Sequence, residues 1–205
     1  MRKSNAEAAE TRKRILATAS ELFLNNGIAA TAIADVMSAC GLTQGGFYRH
    51  FTSKEHLVAD ANAVAFDYIV ANLDELTRGK PPREAIDLIV FHYLRQHQSE
   101  DSRLLCPLAN LSTELGHADQ QVKEVVTAGY SRFVKMFAAH LMRLDYQDFM
   151  GLAESIVSVI VGAVSLARMA DDKALADTIV GNAEHTVKLL LQRSDSQVGL
   201  GSPRP

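Results

Sequence analysis

The sequence predicts an all-α protein, and three observations carry that prediction. Apolar residues recur at 3.6-residue spacing along nearly the whole chain. Residues that cap or stop helices stand between the periodic segments. No stretch alternates apolar and polar residues as a half-buried strand does, and no internal repeat is seen.

Taken in order, Ile15, Leu16, Ala19, Leu22 and Phe23 stripe a first helix that Asn25-Asn26-Gly27 ends, because these residues tolerate a left-handed cap. Thr31 can N-cap a short second helix holding Ile33, Val36 and Met37, which stops at Gly41. Thr43 can N-cap a third. Thr52-Ser53-Lys54-Glu55 reads as the capping box of a fourth, running to about Leu76. Arg78-Gly79-Lys80-Pro81-Pro82 breaks the chain, and residues 83–98 form a fifth helix. Residues 101–115 hold one or two shorter segments around Pro107. Val122, Val125, Val126, Gly129, Phe133, Phe137, Leu141 and Leu144 stripe a long amphipathic helix. Residues 149–168 are apolar almost all round, the mark of a doubly buried helix. Leu175, Ile179, Ala183, Val187, Leu190 and Leu191 stripe the last one. Residues 193–205, polar and rich in Gly and Pro, are expected to be disordered.

With 205 residues, 47 % apolar and 22 % charged, the chain has ordinary globular composition. The apolar run Ile156–Ala167 is broken by Ser158, Gly162 and Ser165, too short and interrupted to span a bilayer. The start, MRKSNAEAAETRKR, lacks the apolar stretch of a secretory signal. Two cysteines, Cys40 and Cys106, imply no disulfide framework, so the expectation is a cytoplasmic protein without a membrane segment. Net charge is −3, yet residues 1–55 hold seven Lys/Arg against five Asp/Glu, and the rest holds 14 against 19. A basic head on an acidic body points to a polyanion partner for the head alone.

Within that head, a short helix, a Gly-containing turn and a second short helix form a helix-turn-helix pattern at about residues 32–51. Gly45 and Gly46 stand in the first turn of the second helix, where each costs about 1 kcal/mol relative to alanine. Their lack of side chains lets backbone and neighbours approach base edges. Thr43 and Gln44 can bond phosphate or bases, and Gln suits adenine N6/N7. Tyr48, Arg49 and His50 add polar reach, while Phe47 and Phe51 anchor the helix to the core. Lys54, a cation in the first turn of the next helix, opposes the helix dipole unless a phosphate sits there.

The stretch TRKRILATASELFLNNGIAATAIADVMSACGLTQGGFYRHFTSKEHLV resembles the N-terminal DNA-binding domain of the TetR/AcrR family of bacterial transcriptional regulators. The likeness covers about residues 9–69 and rests on the first-helix pattern, Gly27, Thr31, Gly41, the Phe47-Tyr48-x-His50-Phe51 cluster and Ser53-Lys54-Glu55. It implies phosphate contacts from Thr43, Tyr48 and Lys54, and base reading by Gln44, Gly45, Gly46 and His50, with Thr31 and Arg49 also in the DNA-binding set. It further implies dimers, a double-stranded operator, and a separate effector-binding body at 70–192 with repression relieved by a small molecule. Cys40, where a small residue is usual, is read as a packed core thiol. Leu105-Cys106-Pro107-Leu108-Ala109-Asn110-Leu111-Ser112 resembles a C-terminal subgroup with a cysteine at this helix start, although Leu105 replaces its usual glycine.

For the effector, Phe133, Met136, Phe137 and His140 share a helical face, and Phe66, Ile69 and Phe91 extend the apolar wall, with Leu105 and Cys106 beside them. Cys106 is either a small hydrophobe lining that cavity or an electrophile sensor activated at a helix N-terminus. For assembly, Ser158, Gly162 and Ser165 permit close helix approach across a two-fold axis, with Ile179, Ala183 and Val187 of the last helix. Two other classes remain open. An architectural DNA-binder is disfavoured by the acidic body. An enzyme is disfavoured because His92 and His97 are spaced i, i+5 and no nucleophile elbow surrounds Ser112, Glu114 and His117. His92, His97, Asp101 and Cys106 are a conceivable donor set, but solvated or core histidines account for them more simply. No metal or cofactor is expected.

Overall fold

The computed structural model describes residues 5–99, 101 and 105–198. Every regular element among them is helical. Nine α-helices follow in order: α1 (Asn5–Asn26), α2 (Ile33–Ala39), α3 (Lys54–Thr77), α4 (Pro82–Leu94), α5 (Pro107–Asn110), α6 (Ser112–Gly116), α7 (Gln120–Met142), α8 (Phe149–Met169) and α9 (Lys173–Val198). Two 3₁₀ segments, Gln44–Arg49 and Arg95–Gln98, complete the set. The chain packs as two compact units, Met1–Ala71 with Glu100–Tyr130, and Asn72–Ser99 with Ser131–Pro205.

The first unit is built around α1, α2 and α3. Ile15, Leu16, Ala19, Phe23 and Leu24 of α1 meet Val36 and Met37 of α2 and Leu57, Val58, Ala61 and Ala65 of α3 in one buried cluster. Phe47 and Phe51 join it at 0 % and 2 % exposure, their rings stacked 5.5 Å apart. Cys40 is buried, its Sγ 3.9 Å from the Arg14 carbonyl, which makes it the packed thiol expected of it. The α2 C-terminus is a Schellman turn: Leu42 N–H donates to Met37 O (2.9 Å) and Gly41 N–H to Ser38 O (2.8 Å). Gly41 sits at φ +66, where a Cβ is strained, so this position needs glycine.

Several expected boundaries shift. The N-cap of α2 is Ala32, not Thr31, and the Asp35 carboxylate accepts its amide at 2.9 Å. The cap of α3 is one residue later than the Thr52–Glu55 box: Ser53 Oγ accepts from His56 N–H (3.1 Å), and His56 Nδ1 accepts from Thr52 N–H (3.3 Å). Glu55 still serves that end, because its own amide and the Ser53 hydroxyl hold its carboxyl below the usual carboxylate range. The helix expected over 83–98 leaves α geometry at Leu94 and closes as a 3₁₀ turn. The expected tail boundary at 193 falls inside α9, which continues to Val198; residues 199–205 lie outside the described residues.

The second unit places Ile86, Ile89, Val90 and Tyr93 of α4 in its core, with Phe133 and Phe137 of α7. Tyr93 stacks on Phe133 at 5.0 Å, and Phe133 meets Phe137 edge-on at 5.5 Å. Helices α8 and α9 follow one another through Ala170–Asp172 and pack together. Tyr146 closes the unit by donating its hydroxyl to Leu191 O at 2.8 Å. Helix α8 is longer than the apolar run seen in the sequence: its 21 residues hold an 18-residue stretch of mean hydropathy 1.9, and it passes as a membrane span by length and composition. Nor is it doubly buried within the chain. Ile156, Val157, Ile160, Val164 and Ala167 face inward, while Leu166 and Met169 stay 56 % and 79 % exposed. One apolar face is therefore satisfied and the other is open.

Candidate DNA-binding surface

The recognition segment is local chemistry made visible. Thr43 enters it in an extended conformation (φ −80, ψ 147), and the chain then winds as a 3₁₀ helix over Gln44–Arg49 instead of the expected α-helix. Two glycines weaken an α-helical first turn, and a six-residue 3₁₀ run is about 12 Å long at its rise of about 2.0 Å per residue. Phe47 points into the core, so its neighbours are turned outward. Thr43, Gln44, Gly45, Tyr48 and Arg49 are exposed, and Gly46 and His50 are half-buried. Tyr48 stands 71 % in solvent, its ring braced edge-on against Phe47 at 5.2 Å. No acidic residue interrupts the segment.

The glycine pair is not explained by packing within the protein. A Cβ placed on Gly45 meets no heavy atom within 4 Å, and one on Gly46 makes only ordinary contacts, 3.6 Å to Met37 Cε and 3.9 Å to Thr43 Oγ1. Neither has the positive φ that would demand glycine. The protein gives up helix propensity at two adjacent positions, one exposed and one half-buried, that neither crowding nor a positive φ reserves for glycine.

Two expected contacts sit differently. Thr31 is only 2 % exposed, and its hydroxyl donates to Gly27 O at 2.7 Å, so its side chain braces the turn after α1 from inside. Lys54 is half-buried, with Nζ donating to Ile28 O at 2.6 Å; that carbonyl offsets the unfavourable dipole position. Sequence reasoning missed the brace behind the segment. Asp60 of α3 pairs with both Arg12 and His56 (Nε2 at 3.1 Å), and the Arg12 guanidinium lies 4.9 Å over the Phe51 ring. The 48-residue separation of Arg12 and Asp60 hides this pair from local pattern.

The residues expected at an effector site fall in both units. Phe66, Ile69, Leu105 and Cys106 are buried in the first, and Leu105 joins its core cluster. Cys106, at 1 % exposure, is closed to reagents in this conformation. In the second, Phe133, Met136 and Phe137 are buried, and His140 is half-buried with Nδ1 lacking a hydrogen-bond partner. Phe91 departs from the expected wall: it is 45 % exposed, with Arg95 stacked 4.6 Å over its ring. Of the assembly residues, Ser158 is exposed and Gly162, Ser165 and Ile179 are half-exposed. Ala183 and Val187 are not available, because they are buried at 6 % and 2 % within their own chain. Among the described residues, no group of three or more His, Cys, Asp and Glu side chains is arranged to hold a metal ion.

Comparison with known proteins agrees with this geometry. Residues 15–61 match the tetR family of bacterial regulatory proteins, and residues 82–180 match the C-terminal domain of LmrA/YxaF-like transcriptional regulators. The HTH-type transcriptional regulator YerO of Bacillus subtilis is 38 % identical over 84 residues, 38 % of this chain and 28 % of that protein. The regulator MT0206 of Mycobacterium tuberculosis is 29 % identical over 179 residues, covering 82 % and 89 % of the two chains. A TetR transcriptional regulator from Chloroflexus aurantiacus superposes with a TM-score of 0.76 at 26 % identity, over 89 % of this chain and 96 % of its own. With a helix-turn-helix head matched at one end and a regulator's helical domain at the other, this chain belongs to the TetR/AcrR family of transcriptional regulators.

Proposed function

We propose that the protein is a homodimeric repressor that reads a palindromic operator and is released from it by a small, largely apolar molecule. The observation that carries the DNA-reading part is the glycine pair, which neither crowding nor a positive φ within the protein requires, flanked by the exposed Thr43, Gln44, Tyr48 and Arg49. Thr43, Tyr48 and Lys54 then hold phosphates and set register, while Gln44 and His50 reach base edges past Gly45 and Gly46. The dimer is supported by the open apolar face of α8 and α9. Leu166, Met169, Leu175 and Leu189 are exposed there beside Ser158, Gly162 and Ser165. A dimer through that face would cover the apolar side of α8 that its own chain leaves open. The effector part rests on the aromatic cluster of the second unit, where the unpaired Nδ1 of His140 offers one polar contact beside apolar walls.

Selection of duplexes from a random pool by the purified protein tests this reading. The expected product is a palindrome with half-site centres about 34 Å apart, one helical turn. Tyr48→Ala should weaken binding to all sequences and make it less salt-dependent, whereas Gln44→Ala should change which bases are preferred. Enrichment of no sequence, with equal binding to random DNA, would leave only an architectural DNA-binder.

A further inference from the structure

The turn between α1 and α2 is held by a residue from far along the chain. Both carboxylate oxygens of Glu114, in α6, accept backbone amides of that turn: Oε1 from Ile28 (3.1 Å) and Oε2 from Ala29 (2.6 Å). Lys54, in α3, donates to Ile28 O at 2.6 Å. The Ile28 carbonyl and the Ala29 amide belong to one peptide group. That single peptide plane therefore lies between an anion on its N–H side and a cation on its C=O side. Each charge polarises the peptide toward the other, so the two bonds reinforce one another. Gly27 completes the fit. Its φ of +89 turns the amides toward Glu114, and a Cβ there would stand 2.8 Å from Oε1.

We infer that Glu114 is a positioning residue for operator binding, acting through the Ile28–Ala29 peptide to place the Lys54 ammonium. The inference rests on the proposed phosphate role of Lys54. Its physical content is a chain of three links. The carboxylate fixes the peptide, the peptide carbonyl fixes the direction of the lysine, and the lysine presents its remaining donors to the DNA. An ammonium has three donors and spends one on Ile28 O, so two stay available. A cleft of about 380 Å³ opens beside the contact, lined by Val58, Val122, His117 and Asp119 among others. Removal of the carboxylate therefore leaves the turn facing open space, with no packed side chain to replace it.

Glu114 is not on the recognition segment, and its effect on DNA must pass through Lys54. A double-mutant cycle reads that dependence. Operator affinity and its salt slope are measured for the intact wild-type protein, Glu114→Gln, Lys54→Met and the double variant, each checked for a cooperative melt. Lys54→Met should cost about tenfold in affinity and reduce the salt slope by about one phosphate. Glu114→Gln should cause much of the same loss, and the double variant should be no worse than Lys54→Met alone. Gly27→Ala, which sets a methyl 2.8 Å from Glu114 Oε1, should reproduce the Glu114→Gln salt slope. Additive losses in the cycle, or a Glu114→Gln protein with the wild-type slope, overturn the inference. If Lys54→Met itself leaves operator binding unchanged, the phosphate role of Lys54 fails first, which is a separate result.

Discussion

Substituting alanine for Gly45 and Gly46 separates fold from function, because the two move in opposite directions. The backbone at both positions lies outside the left-handed region, so alanine is conformationally tolerated. A methyl on Gly45 enters open space, and one on Gly46 lies 3.6 Å from Met37 Cε, an ordinary contact. Nothing in the folded chain is disturbed, while the unfolded chain loses freedom. Each change should therefore stabilise by about 0.4–1 kcal/mol. For a chain of this size, the pair should raise the melting temperature by about 2–8 °C. Operator affinity should fall at least tenfold, because the methyls occupy the gap through which the backbone meets the DNA. Thermal melts followed by circular dichroism, with operator titrations by fluorescence anisotropy, read both effects on the same preparations. A double variant that melts higher and binds the operator as wild type does would refute the close-approach argument. One that melts lower would refute the claim that the fold leaves this space unused.

Gly129 is the opposite kind of glycine: a Cβ there stands 2.4–2.5 Å from three ring atoms of Phe66. Gly129→Ala should gain about 1 kcal/mol of helix propensity, lose about 1–3 kcal/mol to overpacking, and be relieved in part by Phe66→Leu; urea unfolding of the three variants checks the sign. Leu166→Glu with Met169→Glu places carboxylates on the open face of α8, where both native side chains are more than half exposed. Sedimentation should then show monomers with an unchanged helical spectrum, and dimers that survive would move the interface elsewhere. His140 predicts an acid limb. Burial, and secondarily Arg143, push its pKa below the ordinary 6.5, against a smaller opposing pull from Asp74. The unfolded chain then takes up a proton more readily than the native one, so stability present above pH 6.5 is lost as pH falls through the lowered native pKa. His140→Leu should shrink the loss of urea stability between pH 7.5 and 5.5; an unchanged loss would assign that limb to other groups.

Helix order was legible in the sequence because each helix advertises its own core face. Ile15, Leu16, Ala19 and Phe23 recur at helical spacing and are buried together, as do Ile156, Val157, Ile160 and Val164. Ends were less legible, since a cap is decided by one or two hydrogen bonds that neighbouring polar residues can each supply. Thr52 and Ser53 both suit the α3 cap, and Ser53 takes it because His56, not Glu55, then stands three residues on to share the bonding with Thr52. At α2, Thr31 loses the cap to Ala32 because its hydroxyl is already committed to Gly27 O.

Face assignment failed where two apolar surfaces share one helix. Ala183 and Val187 lie on the α9 stripe, but a stripe marks burial without saying against what. Both are consumed inside the chain, while Leu175 and Leu189 remain outside. The helix-turn-helix segment was legible because its signal is a local contradiction: glycines in a helix start, surrounded by aromatics. Glu114 gave no such signal. Its partners stand 85 and 86 residues away, and a lone carboxylate in a short helix is indistinguishable from a solvated one until the turn it holds is placed. A turn held across 85 residues of sequence is thus visible only in the fold. On the role proposed for Glu114, mutational scans confined to the recognition segment underestimate what determines operator affinity, and α6 is the place to extend them.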